Sequence, residues 1–397
     1  MTECSADEAF VPPAISDAKP LRIVHVLRAP VGGLFRHVKD LTREQIARGH
    51  QVGLITDSLT GGARGAQQLA ELEPQLKLGL LRLPIRRLPH VSDLTVLQTV
   101  GRHIAALNPD VIHGHGSKGG LFARLAGFPA RQPNPIRAYT PHGGSLNYHP
   151  GSLSHRLFMA MEALLAWRTD LLLFESAYIA ERFETFVGRP RHFSRVVRNG
   201  ISPSELEPVT PMPGAADFLY VGEFRSVKGL DTLIDALGLL SRMTNRRPNL
   251  VLVGDGSEKD ALNKRARGVG VAAQLDFRAP MAAREAFAQG RIMIVPSRSE
   301  SLPYIVLEAA GAHKPIIATR VGGMAEIFGP YSDRLIPSDN PAILCGALQQ
   351  ALDENPEDQD RKSLQLGDYI ATRFSLSRMV DGVIDGYRMV LAARVQS

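Results

Sequence analysis

Two carboxylates stand in the segment whose residue types most strongly suggest chemistry. Glu300 lies in a polar stretch that follows the apolar run ending at Val295, and Glu308 comes after it with seven residues between the two. One carboxylate could accept hydrogen bonds from sugar hydroxyls and the other from ribose hydroxyls. Glu308 could instead be a solvated helix residue, but its largely apolar neighbours weaken that interpretation.

The residues between the two carboxylates predict the start of a helix. Ser301 is expected to cap this helix and Pro303 to fit its first turn, with Leu302 between them. The free amides of a first turn form an anion site. Because open parallel sheets bind ligands at the carboxyl ends of their strands, this loop is a candidate diphosphate site.

A second loop carries two cations. Arg225 and Lys228 follow the apolar stretch 217–221 and precede a predicted helix. Two positive charges in one strand-end loop suit two phosphates, although exposed loop charges without a ligand are the commoner occurrence. The sequence therefore predicts Arg225 and Lys228 as donor-binding residues.

Glycines and histidines stand at other predicted strand ends. Gly32 and Gly33 would let the backbone approach a phosphate or an acceptor without a Cβ in the way, with a plain turn as the alternative. His113 and His115 come with one predicted strand and His142 follows another. Three histidines could bind a metal. We predict no metal site, because no fixed carboxylate or cysteine accompanies them and the two groups belong to different strands.

The glutamates in their setting resemble the E-x7-E motif of retaining GT-B glycosyltransferases, in particular glycosyltransferase family four. The run from Pro296 to Glu326 resembles this family almost throughout, and the resemblance covers roughly residues 21–390. It implies a sugar transfer from a UDP-sugar or GDP-sugar donor to an acceptor hydroxyl, with retention of anomeric configuration. It also implies that no metal or other cofactor is required.

The resemblance assigns catalytic roles to His142, Glu300, Arg225 and Lys228. The histidine would hydrogen-bond the donor sugar, and the basic pair would neutralise the diphosphate. The family more often has arginine directly after the glycine of this loop, where Glu223 stands here, so Arg225 is the substitute.

Other residues would bind the donor. Gly32 and Gly33 match the family's first loop, and the segment at Arg278 would pass the nucleobase with backbone contacts. The remaining donor-binding positions implied by the resemblance are Glu300, Ser301, Leu302, Pro303 and Glu308.

Two rival functions remain open at this stage. One is a nucleotide-sugar 2-epimerase of the same fold, and the other is a non-catalytic nucleotide-sugar-binding protein. Hydrolase, dinucleotide oxidoreductase and P-loop functions lose support, since the chain lacks a G-x-S-x-G elbow, a G-x-G-x-x-G after its first strand and a G-x-x-x-x-G-K-[ST] loop.

The elements that position these residues alternate between strand and helix. Short apolar runs separated by helical periodicity predict an α/β fold of two doubly wound Rossmann-like domains that face a cleft. We expect a disordered lead over residues 1–20, an acceptor-side domain over 21–208 and a nucleotide-sugar-binding domain over 209–376. A proline-rich linker is expected within 202–216, and a final helix over 377–397 is expected to pack back on the first domain.

Composition limits the partners and the location. The 397 residues carry a net charge of +6, with Lys and Arg dispersed, which indicates no nucleic-acid partner. The first twenty residues lack the pattern of a signal peptide, and Cys4 and Cys345 are expected to be free thiols. We expect a cytoplasmic protein at the inner face of the membrane. The family resemblance implies a glycan or lipid-linked acceptor of the kind used in bacterial cell-surface polysaccharide synthesis.

Weak peripheral membrane association is a further expectation. Arg82, Arg86 and Arg87 stand among apolar residues in the stretch 81–90, and anionic lipid attracts such clusters. The alternative is an ordinary solvated loop that leads into the helix predicted over 92–107.

Overall fold

The computed structural model describes residues 19–127 and 134–396. It contains two parallel sheets, each covered by helices on both faces, and this confirms the predicted pair of doubly wound domains. Residues 1–18, which make up most of the predicted lead and include Cys4, lie outside the described residues. In the part of the chain that the structure describes, every helix is too short or too polar to cross a bilayer.

The first domain is built on seven parallel strands. The strands are β1 (Arg22–Leu27), β2 (Gln51–Asp57), β3 (Leu80–Leu83), β4 (Val111–His115), β5 (Ile136–Thr140), β6 (Leu171–Phe174) and β7 (Phe193–Val196). Their order is β3-β2-β1-β4-β5-β6-β7. The strand order reverses at β1, so the loops after β1 and β4 flank an opening at the carboxyl edge of the sheet.

Six helices cover this sheet. They are α1 (Gly32–Ala47), α2 (Gly62–Leu72), α3 (Ser92–Leu107), α4 (Gly116–Leu125), α5 (Leu153–Ala166) and α6 (Ala177–Phe186). Side-chain caps begin two of them: Ser152 accepts a hydrogen bond from the His155 amide, and Ser176 accepts one from the Ile179 amide.

The second domain repeats the pattern with five parallel strands. They are β8 (Ala216–Val221), β9 (Leu250–Val253), β10 (Leu275–Arg278), β11 (Gly290–Val295) and β12 (Ile316–Ala318), in the order β10-β9-β8-β11-β12. The helices are α7 (Leu230–Thr244), α8 (Lys259–Val269), α9 (Ala283–Phe287), α10 (Tyr304–Gly311), α11 (Met324–Phe328), α12 (Pro341–Asp353) and α13 (Pro356–Arg373).

Side chains that alternate between the two faces of the strands fill two separate cores in this domain. Phe218 and Tyr220 of β8 belong to the core beneath α7, α8 and α12, whereas Leu219 belongs to the core beneath α10, α11 and α13. Successive side chains of a strand point to opposite faces, so one short apolar run supplies both cores.

The chain crosses between the domains twice. The first crossing contains the predicted linker, in which Ser202 and Glu205 cap a short 3₁₀ turn over Pro203–Glu205. The second crossing lies at Ser375, which bridges to Ile201. A Cβ on Gly200 would come within 2.3 Å of the Ser375 carbonyl oxygen, so glycine permits the two crossings to touch.

The last helix, α14 (Leu376–Gln396), packs on the first domain. Its buried residues complete a core formed by one face of the first sheet. That core contains Met379, Val380, Val383, Ile384, Tyr387 and Val390 of α14 with Ile23, Val111, Ile136 and Leu171 of the strands.

Several elements of the first domain were not predicted from the sequence, namely β3, β7, α2 and α4. The loop interpretation of residues 81–90 was wrong over its first part, because Leu80–Leu83 forms the edge strand β3 beside β2. Both missing strands lie at edges of the sheet and are mostly half-buried or exposed, so neither shows the continuous apolar run of a central strand.

We expect Ile384→Ala to lower the free energy of unfolding by about 2–5 kcal/mol, because it opens a cavity between α14 and the sheet. Ile384 is 4% exposed, whereas Val395 on the same helix is 88% exposed. Val395→Ala is therefore the matched control and should change stability by less than about 0.5 kcal/mol. Urea unfolding measures both, and equal effects would contradict the packing of α14.

Candidate active site

A deep cleft separates the carboxyl edges of the two sheets. The first domain contributes the start of α1 and the loop after β5, and the second contributes the loops after β8, β9 and β11. Most residues predicted from the sequence line this cleft. They are Gly32, Gly33, His142, Arg225, Lys228, Glu300, Ser301, Leu302, Pro303 and Glu308.

An ion pair joins the two loops that the sequence singled out. Lys228 Nζ donates to Glu300 Oε1 over 2.7 Å, and the Ser297 hydroxyl donates to the same oxygen over 2.7 Å. The lysine ends a 3₁₀ turn that is followed by Gly229 with φ +66°. A Cβ on Gly229 would lie 2.1 Å from the Pro296 carbonyl oxygen, so this glycine allows the two loops to meet.

Arg298 fixes the position of the Lys228 loop. Its guanidinium bonds Asp231 at 2.8 Å and Asp339 at 2.7 Å, and also donates to the Ser226 carbonyl at 2.5 Å. These bonds stabilise the charged guanidinium and raise the pKa of Arg298. Arg298 was not predicted as a site residue, although its position two residues before Glu300 in the sequence could have indicated it.

Arg225 is more exposed than Lys228. It lines the cleft and lies 3.5 Å from Glu223, the residue that occupies the family's usual arginine position. Its side chain is 47% exposed, so this pairing is weak and leaves the guanidinium available to a ligand.

The predicted cap at Ser301 was wrong. Helix α10 begins at Tyr304, Pro303 occupies the N-cap position, and no side chain caps the helix. The Ser301 hydroxyl instead accepts from Asn147 of the first domain over 3.4 Å. The Val306 amide is the first in α10 to donate to the Pro303 carbonyl. The amides before it belong to the first turn, which has no intrahelical acceptors, and they lie at the end of the helix that faces the cleft.

Glu308 lies just over one turn inside α10 and binds a cation from the other domain. Its Oε1 is 2.5 Å from Arg36 Nη1, and Arg36 also holds Glu205 at 2.5 Å. Burial and the neighbouring Glu205 raise the pKa of Glu308 to about 7, although Arg36 opposes that shift. Arg36 and Glu205 thus belong to the site, and no sequence spacing indicated their contact.

The two glycines begin α1 rather than forming a free loop. Gly32 has φ +68°, and a Cβ on Gly33 would lie 3.7 Å from the ring of Tyr304 in the second domain. The first amides of α1 therefore face the cleft from the side opposite α10.

His142 has a left-handed backbone conformation, with φ +51°. Its amide donates to Glu175 Oε2 over 3.2 Å, and this bond holds the loop after β5 in place. Burial raises the pKa of Glu175 to about 7. The Glu175 carboxyl was not predicted from the sequence, since it lies at the end of an apolar strand with no motif around it.

His142 belongs to a cluster of five histidines, contrary to the expectation that separate strands would keep them apart. Strands β4 and β5 are neighbours, so His115 Nδ1 lies 3.1 Å from His142 Nε2. A hydrogen-bonded chain continues from His115 Nε2 to His25 Nδ1 at 3.0 Å and from His25 Nε2 to Gln45 Oε1 at 2.8 Å. Burial lowers the pKa of all five histidines, which are His25, His37, His113, His115 and His142.

Arg278 does not reach the cleft with its side chain. The guanidinium pairs with Asp276 at 2.8 Å and donates to Gln289. Its carbonyl oxygen accepts from the Gly254 amide at 3.0 Å. The cleft wall near this point is formed instead by the segment 280–283, which follows β10.

Two family models match the chain. The model described as "Glycosyl transferase 4-like domain" matches residues 32–200, and "Glycosyl transferases group 1" matches residues 207–365. The junction between them coincides with the first crossing, so each model corresponds to one structural domain.

Curated relatives match most of the chain at low identity. A glycogen synthase of Mycobacterium tuberculosis is 26% identical over 83% of this chain and 85% of its own length. A D-inositol 3-phosphate glycosyltransferase of Acidothermus cellulolyticus is 27% identical over 91% of this chain and 87% of its own. The putative glycosyltransferase EpsD of Bacillus subtilis is 29% identical over 77% and 83%, respectively.

Solved structures share the fold. A sucrose-phosphate synthase from Thermosynechococcus elongatus superposes with a TM-score of 0.76 at 18% identity, covering 94% of this chain and all of that one. The Anabaena protein HepE in complex with UDP superposes with a TM-score of 0.72 at 16% identity, covering 92% and 99%.

We expect the stability of the protein to fall as the pH drops below about 6.5. The pKa of His25 and of His37 is about 4 in the folded state, so below 6.5 the unfolded state binds more protons. Each such histidine lowers the free energy of unfolding by about 1.4 kcal/mol for each unit by which the pH falls in this range. His25→Gln should remove one share of this slope in urea unfolding. A slope unchanged by His25→Gln would contradict the assignment.

Proposed function

The chain belongs to the group 1 glycosyl transferases, and from this membership we propose that it moves a sugar from a nucleotide diphosphate donor to an acceptor hydroxyl with retention of configuration. The observation that carries the proposal is the Lys228–Glu300 pair in the second domain, placed in the same cleft as His142 of the first. One cleft is thus lined by a cation for the diphosphate and by a carboxylate and an imidazole for the sugar.

The donor diphosphate would lie between Lys228 and the start of α10. Lys228, the more exposed Arg225 and the first-turn amides of α10 supply positive charge. These groups stabilise the charge that grows on the diphosphate as it leaves, which is where preorganised electrostatics lowers the barrier most. The donor must displace Lys228 from Glu300, and this frees the carboxylate for sugar hydroxyls.

Retention follows from attack on the face from which the diphosphate leaves. We propose this front-face attack, with the leaving phosphate accepting the proton of the acceptor hydroxyl. His142 would hydrogen-bond the sugar during this step, and Glu308 would accept from the ribose in competition with Arg36.

Metal independence is part of the proposal. The basic pair and the helix amides offer the diphosphate the charge that a divalent ion supplies in other enzymes. We propose a UDP-sugar or a GDP-sugar as donor. The HepE protein that shares this fold was solved with UDP-glucose, which makes UDP-glucose the first donor to test.

We place the acceptor among glycans and lipid-linked glycans of the bacterial cell surface. One of the relatives is described as a putative teichuronic acid biosynthesis glycosyltransferase of Bacillus subtilis, and it is 27% identical over 61% of this chain. The proposed location is the cytoplasmic face of the membrane, with no nucleic-acid partner.

Incubation with UDP-sugars and GDP-sugars in the presence of a chelator tests the proposal. Transfer to an added acceptor, or slow hydrolysis that releases the free sugar as the retained anomer, is the expected result. Inversion at C2 of the sugar without release would indicate the 2-epimerase, and binding without any chemistry would indicate a nucleotide-sugar sensor. Activity that is lost with chelator and restored by Mn²⁺ or Mg²⁺ would contradict metal independence.

Glu300→Gln and Glu308→Gln should have different effects. We expect Glu300→Gln to lower turnover more than donor affinity, because this carboxylate lies next to the reacting sugar. Glu308→Gln should weaken donor binding by about 1.5–3 kcal/mol through loss of charged hydrogen bonds to ribose. Calorimetry and initial rates separate the two effects.

Glu205→Gln is the matched control for Glu308. It removes a carboxylate from Arg36 without removing the proposed ribose ligand, so donor binding should weaken less than in Glu308→Gln. If Glu205→Gln and Glu308→Gln weaken binding equally, the role of Glu308 is to hold Arg36 rather than the ribose.

Two exposed surfaces of the first domain support weak membrane association. Arg86 and Arg87 are exposed beside Leu88, which is 70% exposed, whereas Arg82 in β3 donates to the Asp57 carbonyl. The second surface is an apolar stripe on α5 that continues past its end. It consists of Leu153, Leu157, Leu164 and Trp167, which are 83%, 58%, 71% and 63% exposed.

We expect sedimentation with anionic vesicles at low salt and little with neutral vesicles. Each arginine near an anionic surface contributes about 1 kcal/mol, so replacing Arg86 and Arg87 with glutamine should reduce binding about tenfold or more. Leu157→Ser with Leu164→Ser tests the stripe on α5 separately. Binding that only the α5 variant reduces would contradict the arginine assignment.

A further inference from the structure

We propose that His37, His115 and His142 form a binding site for a first-row transition metal ion, such as Zn²⁺ or Co²⁺, at the cleft side of the first sheet. We call these three residues the histidine triad. One ring nitrogen from each lies within 4.8 Å of the other two. The triad joins three elements: α1 supplies His37, β4 supplies His115, and the loop after β5 supplies His142.

The first observation is an unpartnered nitrogen. His37 is 2% exposed, and among residues 19–127 and 134–396 no hydrogen-bond partner reaches its Nε2. Its other nitrogen, Nδ1, lies 3.1 Å from Asn199 Oδ1. The Asn199 amide nitrogen donates to the Leu302 carbonyl at 2.8 Å, which fixes the amide with its oxygen toward His37. His37 therefore carries its proton on Nδ1 and a lone pair on Nε2.

The second observation is that the surrounding hydrogen bonds leave His115 with a lone pair toward the triad. Gln45 presents Oε1 to His25 Nε2, so that nitrogen carries the proton and His25 Nδ1 accepts from His115 Nε2. The Nδ1 of His115 is then the unprotonated nitrogen, and it faces His142. Metal-bound histidines usually have their second nitrogen held in this way, by a carbonyl or another acceptor.

His142 completes the triad by a change of tautomer. In the hydrogen-bonded chain its Nε2 donates a proton to His115 Nδ1 over 3.1 Å. Binding of an ion moves that proton to Nδ1 of the same ring, and Nε2 becomes a ligand with no net change in protonation. Three imidazoles leave further coordination positions for water or for a group from the cleft, which His142 lines. Because the proposed transfer uses His142 without a metal, a bound ion and the donor sugar would compete for this imidazole.

A neighbouring group of histidines is less suited to a metal. His25, His113 and His115 also lie close together. Both nitrogens of His113 are already bonded, to Tyr387 at 2.7 Å and to Thr140 at 2.8 Å, and both nitrogens of His25 are bonded as well. An ion there would have to break those bonds in a fully buried setting, whereas the triad offers an unpaired nitrogen.

The test uses tag-free protein, stripped with chelator and desalted, and Co²⁺ as the probe. We expect one Co²⁺ per chain, with the visible absorption of low-coordinate imidazole ligation. His37→Gln should weaken binding by more than a hundredfold, since loss of a ligand exceeds the roughly 10–100-fold cost of losing an outer partner. His155→Gln is the matched control, because His155 is also buried with an unpartnered Nε2 but lies outside the triad.

X-ray absorption of the Zn²⁺-loaded wild type keeps the proposal testable if a histidine variant fails to fold. Multiple scattering from three imidazoles is expected. The proposal is overturned if wild type binds no Co²⁺, if His37→Gln binds it as tightly as wild type, or if the Zn²⁺ spectrum shows fewer than three imidazoles. None of these measurements needs a donor or an acceptor, so failure here leaves the proposed transfer untouched.

Discussion

The arrangement of the cleft depends on Arg36 of α1. Its side chain lies between two carboxylates that follow the strands of the first sheet in the chain. Its guanidinium binds Glu308 of α10 and Glu205 of the crossing segment, and it lies 4.4 Å from the ring centre of Tyr304. A charge removed from water in this way is stable only while its partners stay in place. The start of α1 is therefore held against the start of α10, and the anion-binding ends of both helices face one cleft.

Within the second domain, compensating charges hold together the loops that line the cleft. Lys228 and Glu300 neutralise each other across two loops, and Arg298 of the Glu300 loop also bonds the Ser226 carbonyl and Asp231 on either side of Lys228. It holds a third loop as well, through Asp339. The glycines at 229 and 322 permit the close approach of these loops, since a Cβ on Gly322 would overlap the Glu300 carbonyl oxygen at 1.6 Å. The geometry proposed for a diphosphate thus depends on contacts between loops rather than on any one loop alone.

Much of the fold could be predicted from the sequence because central strands are buried on both faces. Runs such as 171–174 and 250–253 are apolar throughout and coincide with β6 and β9. Edge strands such as β7 lack that pattern. Most residues predicted for the site also line the cleft, because they follow strands directly. The Arg36–Glu308 contact and the histidine cluster were not predicted, since each depends on which elements become neighbours and no local spacing records that.

The return of the chain to the first domain has a consequence for synthesis on the ribosome. One face of the first sheet, with Ile23, Val111, Ile136 and Leu171, is covered by the 21-residue helix α14, which follows the second domain in the chain. The second domain has its own cores and can fold as a unit once α13 has emerged. The first of the two domains to be translated is thus completed after the second, and its apolar face stays open to chaperones or to misassembly until α14 has emerged.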